Sequence, residues 1–329
     1  MGNNLLSPDY ILLDGDNMCH RRFHALHRFS SSDGLPTGMV FGMVNSIFSF
    51  QAAFPNTKFI ACFDKFGSQG RNTPSFQTKR PKKPPAFYLQ MRILREILPH
   101  MGIACVDKPG YEADQLLATL AKRLPGDKLI VSEDKDLAQC VTPHVRLYQK
   151  PNKKWVQIDE AAVIERYGVP PKKIADYLAL AGDPADNIPG VYGIGEASAR
   201  TLLRNHISAM DVASDEYIAT DLKYQGLFTP EVRKQLAETL KLTTLPDNVD
   251  IPIPVFPDAR PEMVHHIFLM LGLKVAAERL KNLYPNLTPS QLSERDKILL
   301  EKRMHEKVFR DRYIPSPPKP SVWDVVPRM

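Results

Sequence analysis

Apolar residues alternate along the first half of the chain between short runs and longer stretches at helical spacing. Tyr10 to Leu13 forms a brief apolar run that ends at Asp14-Gly15-Asp16. His20 to Arg28 then reads as helical, and Gly38 to Phe54 places Val40, Val44, Ile47 and Phe48 at the spacing of a helix packed on a sheet. A second strand, Lys58 to Phe63, is followed at once by Asp64. A helix from Ala86 to Leu98, a third strand from Gly102 to Val106, a helix beginning at Glu112 and a fourth strand from Lys128 to Val131 continue the order. Strands alternating with helices predict an α/β domain whose mainly parallel sheet carries helices on both faces.

After Val156 the pattern becomes mostly helical: Glu160 to Tyr167, Lys173 to Leu180, Glu196 to Leu203, Pro230 to Leu240 and Pro261 to Leu280. Pro252, Pro254 and Pro257 mark a linker before the last of these. Ser293 to Tyr313 is dense in charge and is expected to be an exposed helix, and the proline-rich end cannot continue helix or sheet. Within that tail Trp323, Val325 and Val326 offer a candidate docking motif for a protein partner. No internal repeat is evident.

The polar residues that interrupt this pattern are acids in one repeated position. In a parallel sheet the loops at the carboxyl ends of the strands build the site. Asp14, Asp64, Asp134 and Asp136 fall at such ends, and Glu112 and Asp114 follow another. Asp183 and Asp186 lie in a turn broken by glycine and proline, ahead of Gly193-Ile194-Gly195 and a helix. No strand precedes that GxG turn, which argues against a dinucleotide fingerprint and for a helix-hairpin-helix offering backbone N–H groups to a phosphate. Eight clustered carboxylates repel one another unless they surround cations. Oxygen-only donors suit magnesium or manganese rather than zinc.

Composition changes this picture in two ways. The formal charge is +6, and setting the eight acids aside leaves 43 basic residues against 29 acidic ones. Eight of the basic residues (Lys65, Arg71, Lys79, Arg80, Lys82, Lys83, Arg92 and Arg95) fall in one stretch without an acid, partly within a long polar loop from Gly67 to Pro85. An acidic metal pocket in an otherwise basic protein suits phosphodiester hydrolysis, in which two metals about 4 Å apart activate water and stabilise the leaving oxygen. The basic loop and the hairpin then hold a nucleic-acid backbone without reading its sequence. Four scattered cysteines, with no CxxC, are expected to be reduced thiols, and no window reads as a signal peptide or membrane span. The expected setting is therefore soluble and intracellular.

The motifs LLDG with RRFHAL, CFD with KRP, GYEAD, SEDKDLAQ and GDPADNIPGVYGIGEASARTLL occur in that order. In order and spacing they resemble the 5′ nuclease domain of bacterial DNA polymerase I, the free-standing phage and bacterial 5′-to-3′ exonucleases and, more distantly, the flap endonucleases. The resemblance covers about residues 9 to 280. It implies a PIN-like α/β nuclease domain and a helix-three-turn-helix domain that holds duplex DNA. The resulting division is an N-terminal extension at 1–8, the nuclease domain at 9–172 with an arch around 67–98, the DNA-binding domain at 173–284, and a charged helix with a disordered tail at 285–329.

The resemblance further implies that Asp14, Asp64, Glu112, Asp114 and Asp134 lie nearest a first metal, and Asp136, Asp183 and Asp186 nearest a second. Arg21 and Arg80 match basic positions of the family. Two residues depart from its pattern. Gln115 stands where polymerase-type members carry a further aspartate, and Phe76-Gln77 stands where a Tyr-Lys pair is usual, leaving Lys79, or Lys82 and Lys83, to reach the phosphate. Arg71, Lys82, Lys83, Gly190, Gly193, Gly195, Ser198 and Arg200 are the expected DNA contacts.

The expected activity is that of a magnesium-dependent 5′-to-3′ exonuclease and flap endonuclease with two Mg2+ ions, replaceable by Mn2+. It would act as a monomer on DNA with 5′ ends, 5′ flaps or RNA primers. With fewer than fifty residues after position 280, no polymerase is expected to follow. Two other readings share these features: a catalytically silent structure-specific DNA-binding protein, and a PIN-type ribonuclease.

Overall fold

The computed structural model describes residues 7–32, 34–65, 83–150, 154–288 and 292–307. Its strands are β1 (Tyr10–Asp14), β2 (Lys58–Cys62), β3 (Ala104–Val106), β4 (Lys128–Val131), β5 (Val145–Gln149) and β6 (Val156–Ile158). The helices are α1 (Gly15–Ala25), α2 (Gly38–Ala53), α3 (Pro85–His100), α4 (Ala113–Arg123), α5 (Glu160–Tyr167), α6 (Ile174–Ala181), α7 (Glu196–Asn205), α8 (Ala209–Ser214), α9 (Glu216–Thr220), α10 (Pro230–Thr243), α11 (Pro261–Met270), α12 (Lys274–Leu283) and α13 (Glu294–Lys307). They fall into two compact units. The first takes Met1–Met18, Ala53–Lys82 and Ile103–Pro257, and the second Cys19–Ala52, Lys83–Gly102 and Asp258–Met329.

The first unit is built on a six-stranded sheet of order β3-β2-β1-β4-β5-β6, parallel throughout except for the antiparallel edge strand β6. Apart from their first residues, β1 and β2 are buried along their whole length, and β4 is buried throughout. This is why they read as continuous apolar runs rather than alternating ones. Strand order reverses between β1 and β4, so the loops after these two strands diverge and leave a crevice at their carboxyl ends. Helix α4 packs on β1, β2 and β4.

One core continues from Leu12, Ile60 and Ile130 of the sheet through Leu116 and Leu120 of α4 to Leu178 of α6, Leu202 of α7 and Leu236 of α10. Polar ties reinforce it. Gln139 Nε2 donates to the Thr243 carbonyl at 2.8 Å, the Thr243 hydroxyl donates to the Ala175 carbonyl at 3.0 Å, and Val249 N–H donates to Thr119 Oγ1 at 3.1 Å.

In the second unit α3 packs with α11 and α13, and α11 packs with α12. The buried Gln90 side chain of α3 accepts the N–H of Met39 in α2 at 2.7 Å. Arg279 reaches Asn45 at 2.5 Å, and Arg303 pairs with Glu96 at 2.7 Å.

Several sequence expectations change. Helix α1 starts at Gly15, five residues before the predicted start, because Asp14 caps it: Asp14 Oδ1 accepts the Asn17 N–H at 3.0 Å. Strands β5 and β6 are additions to the predicted pattern. The single helix expected from Pro261 to Leu280 is two. Gly272 has φ of 69°, with its N–H on the Leu269 carbonyl at 3.1 Å and the Leu273 N–H on the Phe268 carbonyl at 2.7 Å. That paired arrangement terminates α11 at a glycine in the left-handed region.

Helix α13 is not fully exposed either. Leu300 and Met304, four residues apart, are 2% and 0% exposed and form its inner face. Positions 308–313 of the predicted helix lie outside the described residues. Met304→Ala is therefore expected to lower stability by about 2–5 kcal/mol. Ile298→Ala, at a side chain 62% exposed, should change it by less than about 0.5 kcal/mol. Urea denaturation of the two variants against the parent checks the difference.

Candidate metal centre

The eight predicted acids all lie in the first unit: four end or follow its strands, two open α4 and two follow α6. Asp14, the last residue of β1, is 4% exposed. Its Oδ1 caps α1, and its Oδ2 accepts the Ser132 hydroxyl at 2.6 Å. Gly15 follows with no room for a side chain, since a Cβ there would stand 2.3 Å from the Phe63 ring. Burial pushes the Asp14 carboxyl well above the usual carboxylate range. The Ser132 and Asn17 hydrogen bonds pull it back, while the charges of Asp134 and Asp16 push it further up.

From Ser132 the network runs along the loop after β4. The Asp134 N–H donates to Ser132 Oγ at 3.1 Å, and the Asp136 N–H donates to Asp134 Oδ1 at 2.9 Å. On the other side of β1, the Asp64 N–H donates to Asp16 Oδ2 at 2.7 Å. Asp64 Oδ1 accepts the Ala113 N–H at 2.8 Å and so sits at the N-terminus of α4, where the helix dipole favours a carboxylate. Glu112 caps the same helix and exchanges hydrogen bonds with Gln115, whose Oε1 accepts the Glu112 N–H at 3.2 Å. Asp114 Oδ1 accepts the Gln115 N–H at 2.7 Å.

Asp183 and Asp186 reach the same region from the helical half of the unit. After α6, the Asp183 N–H donates to the Ile188 carbonyl at 2.7 Å and the Ile188 N–H returns to the Asp183 carbonyl at 2.8 Å, closing a six-residue loop. Gly182 and Gly190 pack backbone to backbone at its neck. A Cβ on Gly190 would lie 2.4 Å from the Gly182 nitrogen, and φ of 66° already disfavours any side chain there. Asp183 is 1% exposed and Asp136 6%.

Oxygen atoms of Asp136, Asp183 and Asp186 all lie within 4.8 Å of one another, the one such group of three among the described residues. Three carboxylates converging without a histidine or thiol fit a hard divalent cation. The Cys140 thiol, four residues after Asp136, is not in this group; burial, then the charges of Asp114, Asp247 and Asp134, push it up to about 12. Asp134 links Asp14 electrostatically to this group. Asp134 acts on Asp14, and together with Asp136 and Asp183 it acts on Tyr167, whose phenol is raised first of all by burial.

Four residues that sequence reasoning missed organise these acids: Asp16, Ser132, Gln115 as a cap, and Lys135, whose Nζ forms an ion pair with Asp183 Oδ1. For Lys135 the available signal was a cation placed between two acids in Asp134-Lys135-Asp136.

The hairpin follows directly from the acid loop. Gly193 has φ of 83°, and Gly195 is the N-cap of α7 without a side-chain cap, with Ser198 in the first turn. The first N–H groups of α7 are thus left to backbone or ligand acceptors. Arg200 is engaged within the unit: it pairs with Glu196 at 2.7 Å, stands 5.8 Å from the Tyr177 ring centroid, and lies where a side chain on Gly168 would be.

Arg21 is exposed on α1, and Lys83 lies 4.5 Å from the Phe87 ring, both in the second unit. Arg71, Gln77, Lys79, Arg80 and Lys82 lie outside the described residues.

Residues 9–168 match the 5′-3′ exonuclease N-terminal resolvase-like domain, and residues 169–259 the 5′-3′ exonuclease C-terminal SAM fold. The 5′-3′ exonuclease of Aquifex aeolicus is 33% identical over 245 residues, covering 73% of this chain and 82% of its own. DNA polymerase I of Mycobacterium tuberculosis is 32% identical over 289 residues, which is 83% of this chain but 31% of the polymerase. The T5 D15 protein crystallised with metal ions superposes with a TM-score of 0.56 at 18% identity, covering 84% of this chain and 98% of its own, a likeness of fold. These matches bear out the family resemblance read from the motifs.

The raised Asp14 carboxyl has a measurable consequence. Its folded-state value lies above the unfolded one, so the parent loses stability as pH rises from about 4 through the folded value. Asp14→Asn escapes that loss. In metal-free buffer at neutral pH it is expected to be the more stable protein, with the gap closing as pH falls below about 4. Chemical denaturation across that range measures it.

Proposed function

Because the chain belongs to the 5′-3′ exonuclease family and is an enzyme of that class, we propose that it is a divalent-metal-dependent, structure-selective 5′ nuclease that cleaves phosphodiester bonds at 5′ ends and flaps. The observation that carries this reading is the convergence of Asp136, Asp183 and Asp186, with three carboxylate oxygens within 4.8 Å. Two of its members, Asp183 and Asp186, lie shortly ahead of a hairpin whose helix N-terminus lacks a side-chain cap.

In this proposal Asp136, Asp183 and Asp186 hold one magnesium ion, and Asp14, Asp64, Glu112, Asp114 and Asp134 lie nearest a second. Oxygen donors favour Mg2+, with Mn2+ as a substitute. When bound, the two ions supply the water-derived hydroxide and neutralise charge on the phosphate and the departing oxygen.

The chain's own groups bind and orient the substrate. Gly190, Gly193, Gly195 and the N–H groups near Ser198 take the backbone of the duplex. Lys79, Arg80 and Arg21 are the basic residues this reading assigns to catalysis, and Arg71, Lys82 and Lys83 those it assigns to DNA binding. Arg200, which also braces α7 through Glu196 and Tyr177, belongs to the same DNA-contacting set. The substrate class is DNA bearing 5′ ends, 5′ flaps or RNA primers, and the task is primer or flap removal in replication or repair. The enzyme acts in the cytoplasm as a monomer, with the Trp323 region available to a protein partner. Among the described residues no helix is long and apolar enough to cross a membrane.

Asp134→Asn is expected to reduce cleavage of a labelled 5′-flap duplex in magnesium by roughly a hundredfold or more, while binding of the same duplex in calcium is largely kept. Undiminished cleavage by that variant would overturn the mechanism. Absence of cleavage by the parent in magnesium would overturn the activity.

A further inference from the structure

Outside the carboxylate site, α1 carries a second pair of metal-ligating groups. His20 and His24 are four residues apart, so one helical turn brings them onto the same face. Both are exposed. Their rings meet edge to face with centroids 4.5 Å apart, and the Nε2 atoms stand 3.2 Å from each other. His27 is turned to another partner, since its Nδ1 bonds the His24 carbonyl at 3.0 Å. With that carbonyl as acceptor, Nδ1 is the donor.

Two imidazole nitrogens at this separation share one proton: one ring donates and the other accepts. The same separation suits a shared metal ion. With Zn–N bonds of about 2.0–2.1 Å, nitrogens 3.2 Å apart subtend roughly 100° at the metal, close to the tetrahedral angle. Imidazole suits zinc, copper or nickel, whereas magnesium and calcium require oxygen, so this pair discriminates against the ions that the acids prefer.

We propose that His20 and His24 form a surface site for a borderline divalent transition-metal ion of the zinc class. Two protein ligands leave further coordination positions open to water or to an anionic oxygen. The ion takes the place of the shared proton, and the donating ring moves its hydrogen from Nε2 to Nδ1, so that both rings bind as neutral imidazoles and no net proton is lost. A site with two protein ligands holds metal less firmly than a four-ligand structural centre, so its occupancy follows the free metal concentration. Because the ligands meet only when this turn is helical, the ion binds the folded chain and stabilises α1.

The test is a zinc titration of the tag-free, full-length protein with millimolar magnesium present to occupy the oxygen donors, read by competition with a chromophoric chelator. A micromolar zinc site that weakens roughly tenfold or more in both His20→Ala and His24→Ala supports the proposal, since each variant removes one of two chelating ligands. Equal zinc affinity in the parent and either variant overturns it, as does the lack of any zinc binding tighter than millimolar. Nitrogen-15 shifts of the histidine rings, recorded on the unaltered protein, probe the site without any substitution. Zinc-induced movement at His20 and His24 supports the site, and movement confined to other histidines means that their contact is a hydrogen bond alone.

Discussion

Repulsion between carboxylates is the constraint on which this structure depends. Two ionised acids with oxygens 4.8 Å apart repel by about 3–4 kcal/mol at an effective dielectric of 20. A chain that brings several together must hold each by forces that do not relax when the charges push apart. Here those forces are covalent position at a strand end, helix N-termini, and a core that continues from the sheet into the helical half of the first unit. Asp14 and Glu112 cap α1 and α4, and Asp64 meets the first N–H of α4, so the dipoles that order these helices offset part of the repulsion. Lys135 answers Asp183 directly.

The same reasoning gives Gln115 a structural role. By the resemblance, polymerase-type members carry a further aspartate at this position, so Gln115 stands in place of a candidate metal ligand. In the fold Gln115 is buried and completes a reciprocal cap with Glu112. That arrangement calls for Glu or Gln at the third helical position, because the side chain must reach back to the cap residue's N–H. Aspartate is one methylene shorter, and a second charge there would add to the repulsion around Asp114. Neutral Gln115 thus keeps Glu112 oriented without adding to the local negative charge.

How much of this was legible in the sequence depended on the range of the interaction responsible. The buried central strands announced themselves as unbroken apolar runs, and the acids at their ends followed from the rule that parallel sheets present their loops on one side. Strand β5 was harder, since Val145–Gln149 alternates buried with partly buried positions over only five residues. The inner face of α13 escaped notice because two apolar residues in a charged helix carry almost no periodic signal until α3 and α11 are known to lie beneath them. The break at Gly272 was legible as a glycine between two leucines, but the continuing apolar spacing outweighed it. Ser132 and Asp16 were invisible as site residues for a simpler reason, since each acts on a partner brought near only by the fold, and Lys135 was marked only by its place between two acids.

The stretch from Gly182 to Gly195 shows why position and not only composition makes the site. Asp183 and Asp186 are held by a loop whose neck is two glycines in backbone contact, and Asn187 with φ of 57° completes its turn. The chain leaving that neck enters the hairpin within three residues, and the Val191 N–H bonds back to the Leu180 carbonyl at 2.9 Å, so hairpin and acid loop share one anchor on α6. Neither can shift without the other. In the proposed function, a metal held by Asp183 and Asp186 and a phosphate held by the first turn of α7 would therefore be coupled through the backbone, with no flexible side chain in the path. That coupling is what an enzyme needs if it is to cut at a fixed distance from where it holds the duplex.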